Sequence, residues 1–331
     1  MTIRRSTYSV PLASLVSIGC GMRDPQQLPA PSDSGAPDVR DARQPTTDGE
    51  ITKVPITLAS GQYMPNCLAV DGVNVYWTTS EGNVMSVPTG GGTPTVLASK
   101  QGLPFGIAVD RASSTVYWVR TSSSSGMVMS SPVAGGTPRV VADNQRGPMR
   151  IAVDHGLVYW ANQSAGTVMR LPAGGGTPAE LATRQGTVAD VAVGSHAVYW
   201  SAIGQESIRW LPAEGGAATI ATDAHAASLS VVGTTVYWAD ALLRDDGAGI
   251  FRLDQGHAPV ELARSPSPVA AVADEQHVYW SDDATGTIRR VSIAGGDATV
   301  IATGQTSPSE LAIDDHAVYW ITAAAVMRLA R

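Results

Sequence analysis

Phenylalanine is nearly missing from this chain: two Phe stand against eight Trp and nine Tyr in 331 residues. A core built in the usual way uses Phe freely, so the Trp here must serve a placed and repeated purpose. A basic excess is missing too. Lys and Arg number 22 against 29 Asp and Glu, a net charge of −7, so the positive footprint of a nucleic-acid binder is absent and that partner class is set aside. Two Cys cannot make the disulfide framework of a small secreted scaffold. No apolar run reaches the roughly 18 residues that a membrane-crossing helix needs. What is present is 44% hydrophobic residues with 34 Gly and 21 Pro. That composition fits a packed, turn-rich globular body and excludes a wholly disordered chain.

The N-terminus reads as an address. Arg4 and Arg5 precede a mildly apolar stretch from Val10 to Ile18, and Gly19-Cys20 follows. A basic segment, a short apolar segment and a small residue before the cut describe an export signal. Its Gly-Cys end resembles the lipobox of bacterial lipoproteins, which implies cleavage before Cys20 and a lipid on its thiol. Residues 21–50 are rich in Pro, Asp, Gln, Ser, Thr and Arg. Such a segment buries too little surface to offset chain entropy and is expected to be a disordered tether. The expected organisation is therefore a signal peptide over 1–20, a tether over 21–50 and a folded domain over 51–331. The expected location is the periplasm or an outer-membrane or cell-surface lipoprotein, with the membrane touched only through the anchor.

From residue 51 the chain repeats itself. Val-Tyr-Trp occurs seven times, with Trp at 77, 118, 160, 200, 238, 280 and 320. The spacings of 41, 42, 40, 38, 42 and 40 residues are those of propeller blades built from short strands. Each unit reads as four strands. An apolar segment such as Gly106-Ile107-Ala108-Val109-Asp110 comes first, Val-Tyr-Trp second, and a segment such as Val84-Met85-Ser86-Val87-Pro88 third. A Gly-Gly-Thr-Pro turn then leads to the fourth. The last unit stops after its third strand, ending at Val326-Met327-Arg328-Leu329-Ala330, while Pro55-Ile56-Thr57-Leu58-Ala59 matches a fourth strand and has no unit of its own. The predicted fold is an all-β, seven-bladed propeller whose N-terminal strand closes the last blade. Alternation along a strand puts Tyr and Trp on opposite faces of each blade, where both can pack against neighbouring blades.

With these motifs in view, the repeat resembles the YWTD propellers of low-density-lipoprotein-receptor type, and more loosely the NHL and SMP-30-like propellers. Pro104-Phe105-Gly106-Ile107-Ala108-Val109-Asp110 is close to the first-strand segment of the latter families. Only Tyr237-Trp238-Ala239-Asp240 and Tyr279-Trp280-Ser281-Asp282 keep the terminal Asp of the YWTD motif. YWTD receptor propellers have six blades, so the resemblance implies fold and not receptor function.

Sites in propellers form at the axial mouth, on the face where first strands begin. An SMP-30-like lactonase needs carboxylates and Asn converging there on a divalent ion, and only Asn66 stands at a matching place. Arg150 and Asp190 occupy equivalent positions in adjacent units, with Glu310 further round. They read either as a partly solvated ion pair or as a small polar ligand site. Tyr63 and Phe105 are the aromatics outside the repeat that fall near these loops. Gln recurs at 62, 101, 145, 185 and 305, at the end of the fourth strand, and hydrogen bonds to loop backbone account for it. Asp240, Asp245, Asp246, Asp282 and Asp283 gather on one sector and read first as a solvated acidic edge. The alternative is weak binding of Ca²⁺ or of a cationic partner; no other cofactor is expected. Cys67, on an inner strand, is expected to be a buried thiol. The functional expectation is a non-enzymatic, monomeric, envelope-anchored module that binds a protein or glycan. The competing expectation is a hydrolase or lyase with its site at the axial mouth.

Overall fold

The computed structural model describes residues 53–331 except 196, 213–218, 223 and 242–247. The expected signal peptide, the tether, Cys20, Asp245 and Asp246 lie outside the described residues. Those described form twenty-eight strands in seven four-stranded antiparallel sheets. No described helix is long and apolar enough to cross a membrane.

The first complete blade shows the pattern. Pro65–Val70 (β2), Asn74–Thr79 (β3), Val84–Pro88 (β4) and Thr95–Ala98 (β5) pair in chain order. The innermost strands of the seven blades are β2, Pro104–Asp110 (β6), Pro148–Asp154 (β10), Val188–Gly194 (β14), Ser228–Val232 (β18), Pro268–Ala273 (β22) and Leu311–Ile313 (β26). Ring closure follows the sequence expectation. Ile56–Ala59 (β1) pairs antiparallel with Val326–Ala330 (β28), with Ile56 opposite Arg328, and the last sheet runs β1, β28, β27 (Ala317–Ile321), β26. The terminal strand covers the edge that β28 would otherwise expose.

The Tyr-Trp pairs are the mortar between blades. All seven Trp are buried, none more than 1% exposed. Each core cluster joins the Tyr of one blade to the Trp of the next: Tyr159 with Trp200, Tyr199 with Trp238, Tyr237 with Trp280, Tyr279 with Trp320, and Tyr319 with Trp77 across the closure. Tyr76 with Trp118 and Tyr117 with Trp160 complete the circle in one larger cluster. Phe is scarce because these seams are filled by rings that carry a polar tip, and the tips are used. Tyr76 Oη donates to Asp71 at 2.7 Å and Tyr319 Oη to Asp314 at 2.9 Å. Asp71 and Asp314 also accept the backbone N–H groups of the following turn, an Asx turn that fixes the exit of the inner strand.

The recurring Gln residues do more than satisfy backbone. Their Nε2 groups donate to the carbonyl two residues back, for example Gln145 to Asp143 at 2.7 Å. Their Oε1 atoms accept from the indole of the next blade: Gln62 from Trp77, Gln145 from Trp160, Gln185 from Trp200 and Gln305 from Trp320, at 2.9–3.1 Å and always fifteen residues apart. Ser265 takes the same role for Trp280 at 2.8 Å. Five of the seven indoles are thus latched to the end of the preceding outer strand, while Trp238 Nε1 has no partner among the described residues. In the second unit the latch is open, since Gln101 Oε1 and Trp118 Nε1 are buried without partners.

Candidate functional site

The inner strands converge on the propeller axis, and their first halves enclose a cavity of about 150 Å³. All seven blades line it, through Cys67, Gly106, Arg150, Asp190, Ser228, Ala271 and Glu310 with their neighbours. Packing at the axis is tight. A Cβ on Gly106 would lie 2.5 Å from the Met149 carbonyl oxygen, so β6 approaches β10 closely only because that residue has no side chain. This approach places Arg150 beside the axis.

The Arg150 guanidinium is buried, and its strongest partner is not the adjacent blade. Nη2 donates to Glu310 Oε1 at 2.8 Å across the axis, Nε lies 3.7 Å from Asp190 Oδ1, and Nη1 lies 3.4 Å from Cys67 Sγ. The ring is narrow enough for one long side chain to span it. The expectation of a partly solvated pair is corrected: the side chains of Arg150, Asp190 and Glu310 are 8–10% exposed. Such a group weighs more than a surface pair, because removing one member leaves a buried charge uncompensated.

Asp190 is anchored by backbone. Its Oδ1 accepts the Val191 N–H at 2.8 Å and its Oδ2 the Leu229 N–H at 2.7 Å, while its own N–H donates to Ser201 Oγ at 3.0 Å. Burial pushes its carboxyl up to about 6, with the charge of Glu310 adding and Arg150 and the two amides pulling the other way. Burial works against the Arg150 charge, yet Glu310 and Asp190 hold its proton more firmly than usual. Cys67 is buried, at 2% exposure, on the inner strand β2.

The other expected site residues separate. Tyr63, in the loop from β1 to β2, is 55% exposed. Phe105 is 1% exposed and packs in the seam with Trp118, so it is corrected from a surface residue to a core one. Asn66 is buried and occupied: Nδ2 donates to Pro104 O at 3.0 Å in the next blade, and Oδ1 accepts from Ser80 Oγ at 3.1 Å. Sequence reading missed Leu103, 54% exposed in the loop before β6. Its signal was a Leu where four other units carry Gly147, Thr187, Ser267 and Ser307, although the remaining two carry Met64 and Ala227.

The acidic sector does not present a solvated edge throughout. Asp240 and Asp282 are buried, at 2% and 0% exposure, and Asp283 is exposed. Asp282 Oδ1 accepts the N–H and hydroxyl of Thr285, and Oδ2 accepts from the Ser265 hydroxyl and the Ser267 N–H. Burial alone would raise its carboxyl, but these bonds hold it below the ordinary value. Asp282 is therefore a loop staple. Among the described residues no group of three or more His, Cys, Asp or Glu could hold a metal ion. His155 and His316 are exposed in turns after the inner strands, at the end remote from the mouth.

No protein-family model matches the chain, and no curated protein does. Solved propellers do. A streptogramin B lyase structure superposes with a TM-score of 0.70 at 13% identity, over 83% of this chain and 96% of the other. Virginiamycin B lyase from Staphylococcus aureus gives 0.70 at 11% identity, over 84% and 98%. The WD40 propeller domain of Doa1 gives 0.68 at 14% identity, over 84% and 96%. At such identities the likeness carries the fold alone.

Proposed function

We propose that this propeller is a non-enzymatic binding module that engages a protein or glycan through its mouth face, held at the cell envelope by a lipidated Cys20. The observation that carries the reading is the pairing of Tyr63 and Leu103. Both are large and more than half exposed, and they stand on the loops that lead into the inner strands β2 and β6 of adjacent blades. An exposed Tyr is a residue type that contact hot spots favour, and it serves sugar rings as well as protein. The test is site-specific photocrosslinking in cells from positions 63 and 103, with Val73, 67% exposed at the other end of its blade, as control. A discrete adduct from 63 and 103 and none from 73 is expected. Equal adducts from all three positions would overturn the assignment of the face.

A hydrolase or lyase at the same mouth is the second reading. One observation favours it: a carboxyl raised to about 6 beside a buried arginine, Asp190 with Arg150, is what a general acid or base requires. Metal analysis of the purified protein separates the two. Stoichiometric, tightly bound Ca²⁺ or Zn²⁺ would replace the binding module with a metal-dependent enzyme.

A further inference from the structure

The charge of the mouth face is not spread evenly. In a chain of net charge −7, four cations stand on consecutive mouth loops: Lys100 after β5, Arg120 at the end of Thr115–Arg120 (β7), Arg146 after Arg139–Gln145 (β9) and Arg184 after Ala179–Ala182 (β13). Lys100, Arg146 and Arg184 are exposed and Arg120 is half-buried. Backbone hydrogen bonds join their loops into one belt. Thr121 N–H donates to Leu103 O at 2.9 Å, Gly147 N–H to Ser122 O at 2.7 Å, Ala165 N–H to Arg146 O at 3.2 Å and Gln185 N–H to Gly166 O at 3.0 Å. Arg120 lies beside the loop that carries Lys100 and Leu103, its Nη2 3.7 Å from where a Cβ on Gly102 would stand.

None of the four has a carboxylate within ion-pair distance among the described residues. Arg120 has only the Met127 sulfur, 3.8 Å from its Nη1. The acids of the same loops, Glu81 and Asp143, are exposed and bridge none of them. Further round, the cations are taken: Arg209 donates to Gln185 and Gln205, Arg264 pairs with Glu261 at 2.9 Å, and Glu206 and Asp283 are the exposed acids. A positive sector on an otherwise acidic protein attracts an anionic partner and orients it. Leu103, 54% exposed in the same belt, selects the kind. An anionic glycan would meet the cations, but sugar rings pack on aromatic faces and leave an aliphatic side chain uncovered. An acidic peptide supplies both groups, carboxylates that guanidinium accepts in a fork and an apolar side chain. We propose that this belt is the docking surface for an acidic segment of a partner protein, whose carboxylates engage Arg120, Arg146 and Arg184 while an apolar residue covers Leu103. The proposal rests on the mouth-face reading above and names the partner's charge.

The test is fluorescence anisotropy of the full chain with a short labelled peptide of Glu residues around a central Leu. Saturable binding is expected, weakened about tenfold when NaCl rises from about 50 to about 500 mM. The same peptide with Gln for every Glu should bind at least about tenfold more weakly. Arg146→Glu combined with Arg184→Glu, both at exposed positions, should weaken the acidic peptide about tenfold, and Leu103→Ser about threefold. Arg111→Glu, exposed in the turn after β6 at the far end of its blade, should leave it unchanged. Equal affinity for the Gln peptide would overturn the proposal, as would undiminished binding by the folded double variant. Should the double variant not fold, the salt dependence and Leu103→Ser decide. Tighter binding of polygalacturonate than of the peptide would also overturn it and give the belt to an anionic glycan. Discrete crosslinks from positions 63 and 103 without acidic-peptide binding would remove the acidic partner and leave the mouth-face reading standing.

Discussion

The open latch of the second unit provides a controlled test of what holds the blades together. Gln145 and Gln101 occupy the same place in their units, and both are buried, at 8% and 7% exposure. Both donate Nε2 to the carbonyl two residues back, at 2.7 and 2.8 Å. They differ at Oε1. That of Gln145 accepts from Trp160 Nε1 and from Asn162 Nδ2, each at 2.9 Å, whereas that of Gln101 has no partner and neither does Trp118 Nε1. Gln145→Ala therefore strands an indole donor outright and half-strands the Asn162 amide, which keeps Thr167 Oγ1 at 3.2 Å. At about 1–3 kcal/mol for each unsatisfied buried donor, the loss is about 2–4 kcal/mol. Unfolding entropy of about 2.1 cal/mol/K per residue makes 1 kcal/mol worth about 2 °C in a domain of this size. The expected fall in Tm is about 4–8 °C. Gln101→Ala removes no indole bond and should lower Tm by no more than about 2 °C, the effect of a lost amide-to-carbonyl bond. Differential scanning calorimetry of both variants against the wild-type protein measures this. Equal falls in the two would refute the latch as a source of stability and return the Gln to a purely local loop role.

Four further outcomes follow from the same structure. Deleting residues 51–60 removes β1 with the buried Leu58 and Ala59 and uncovers β28, so Tm should fall by about 10 °C or more; an unchanged melt would contradict strand closure. Asp190 keeps its proton up to about pH 6 when folded but loses it near its ordinary 3.8 when unfolded. The native state is thus favoured below that window, and stability should decline by up to about 3 kcal/mol as pH rises through it. Urea melts of wild type and Asp190→Asn from pH 4 to 7 should diverge accordingly, and a difference that does not vary with pH would refute the assignment. Phe105→Ala should lower stability by about 3–5 kcal/mol as a core truncation, whereas Tyr63→Ala should change it by less than about 0.5 kcal/mol; chemical denaturation that ranks them the other way would contradict their placement. For the anchor, Cys20→Ala should move the protein from the detergent phase to the aqueous phase on phase partitioning, and no shift would mean that Cys20 carries no lipid.

The limits of reading this chain from its sequence follow from what repeats and what does not. Val-Tyr-Trp recurs because every seam needs the same two rings, so blade number, closure and the Tyr-to-Trp packing were legible in the spacing alone. The Gln-to-Trp latch was equally periodic, fifteen residues in every intact case, yet it escaped notice because its partners belong to different blades. Pairs that cross a seam become visible only when unit boundaries are ignored. The axial group lies at the other extreme. Arg150, Asp190 and Glu310 share one register position, which told where they would point but not which would bond. That choice depends on the reach of one arginine across a narrow ring, and it selected Glu310, 160 residues away, over the neighbour in the next unit. Phe105 misled for a related reason: it stands at the start of an inner strand beside a mouth loop, but alternation turns its ring into the seam with Trp118. The departures from the repeat at the mouth are thus the informative residues. A propeller stable through its seams has no structural use for Tyr63 and Leu103 left more than half exposed on the loops that lead into β2 and β6. Scaffold requirements are met by the repeat, and these positions are where the proposed partner would be received.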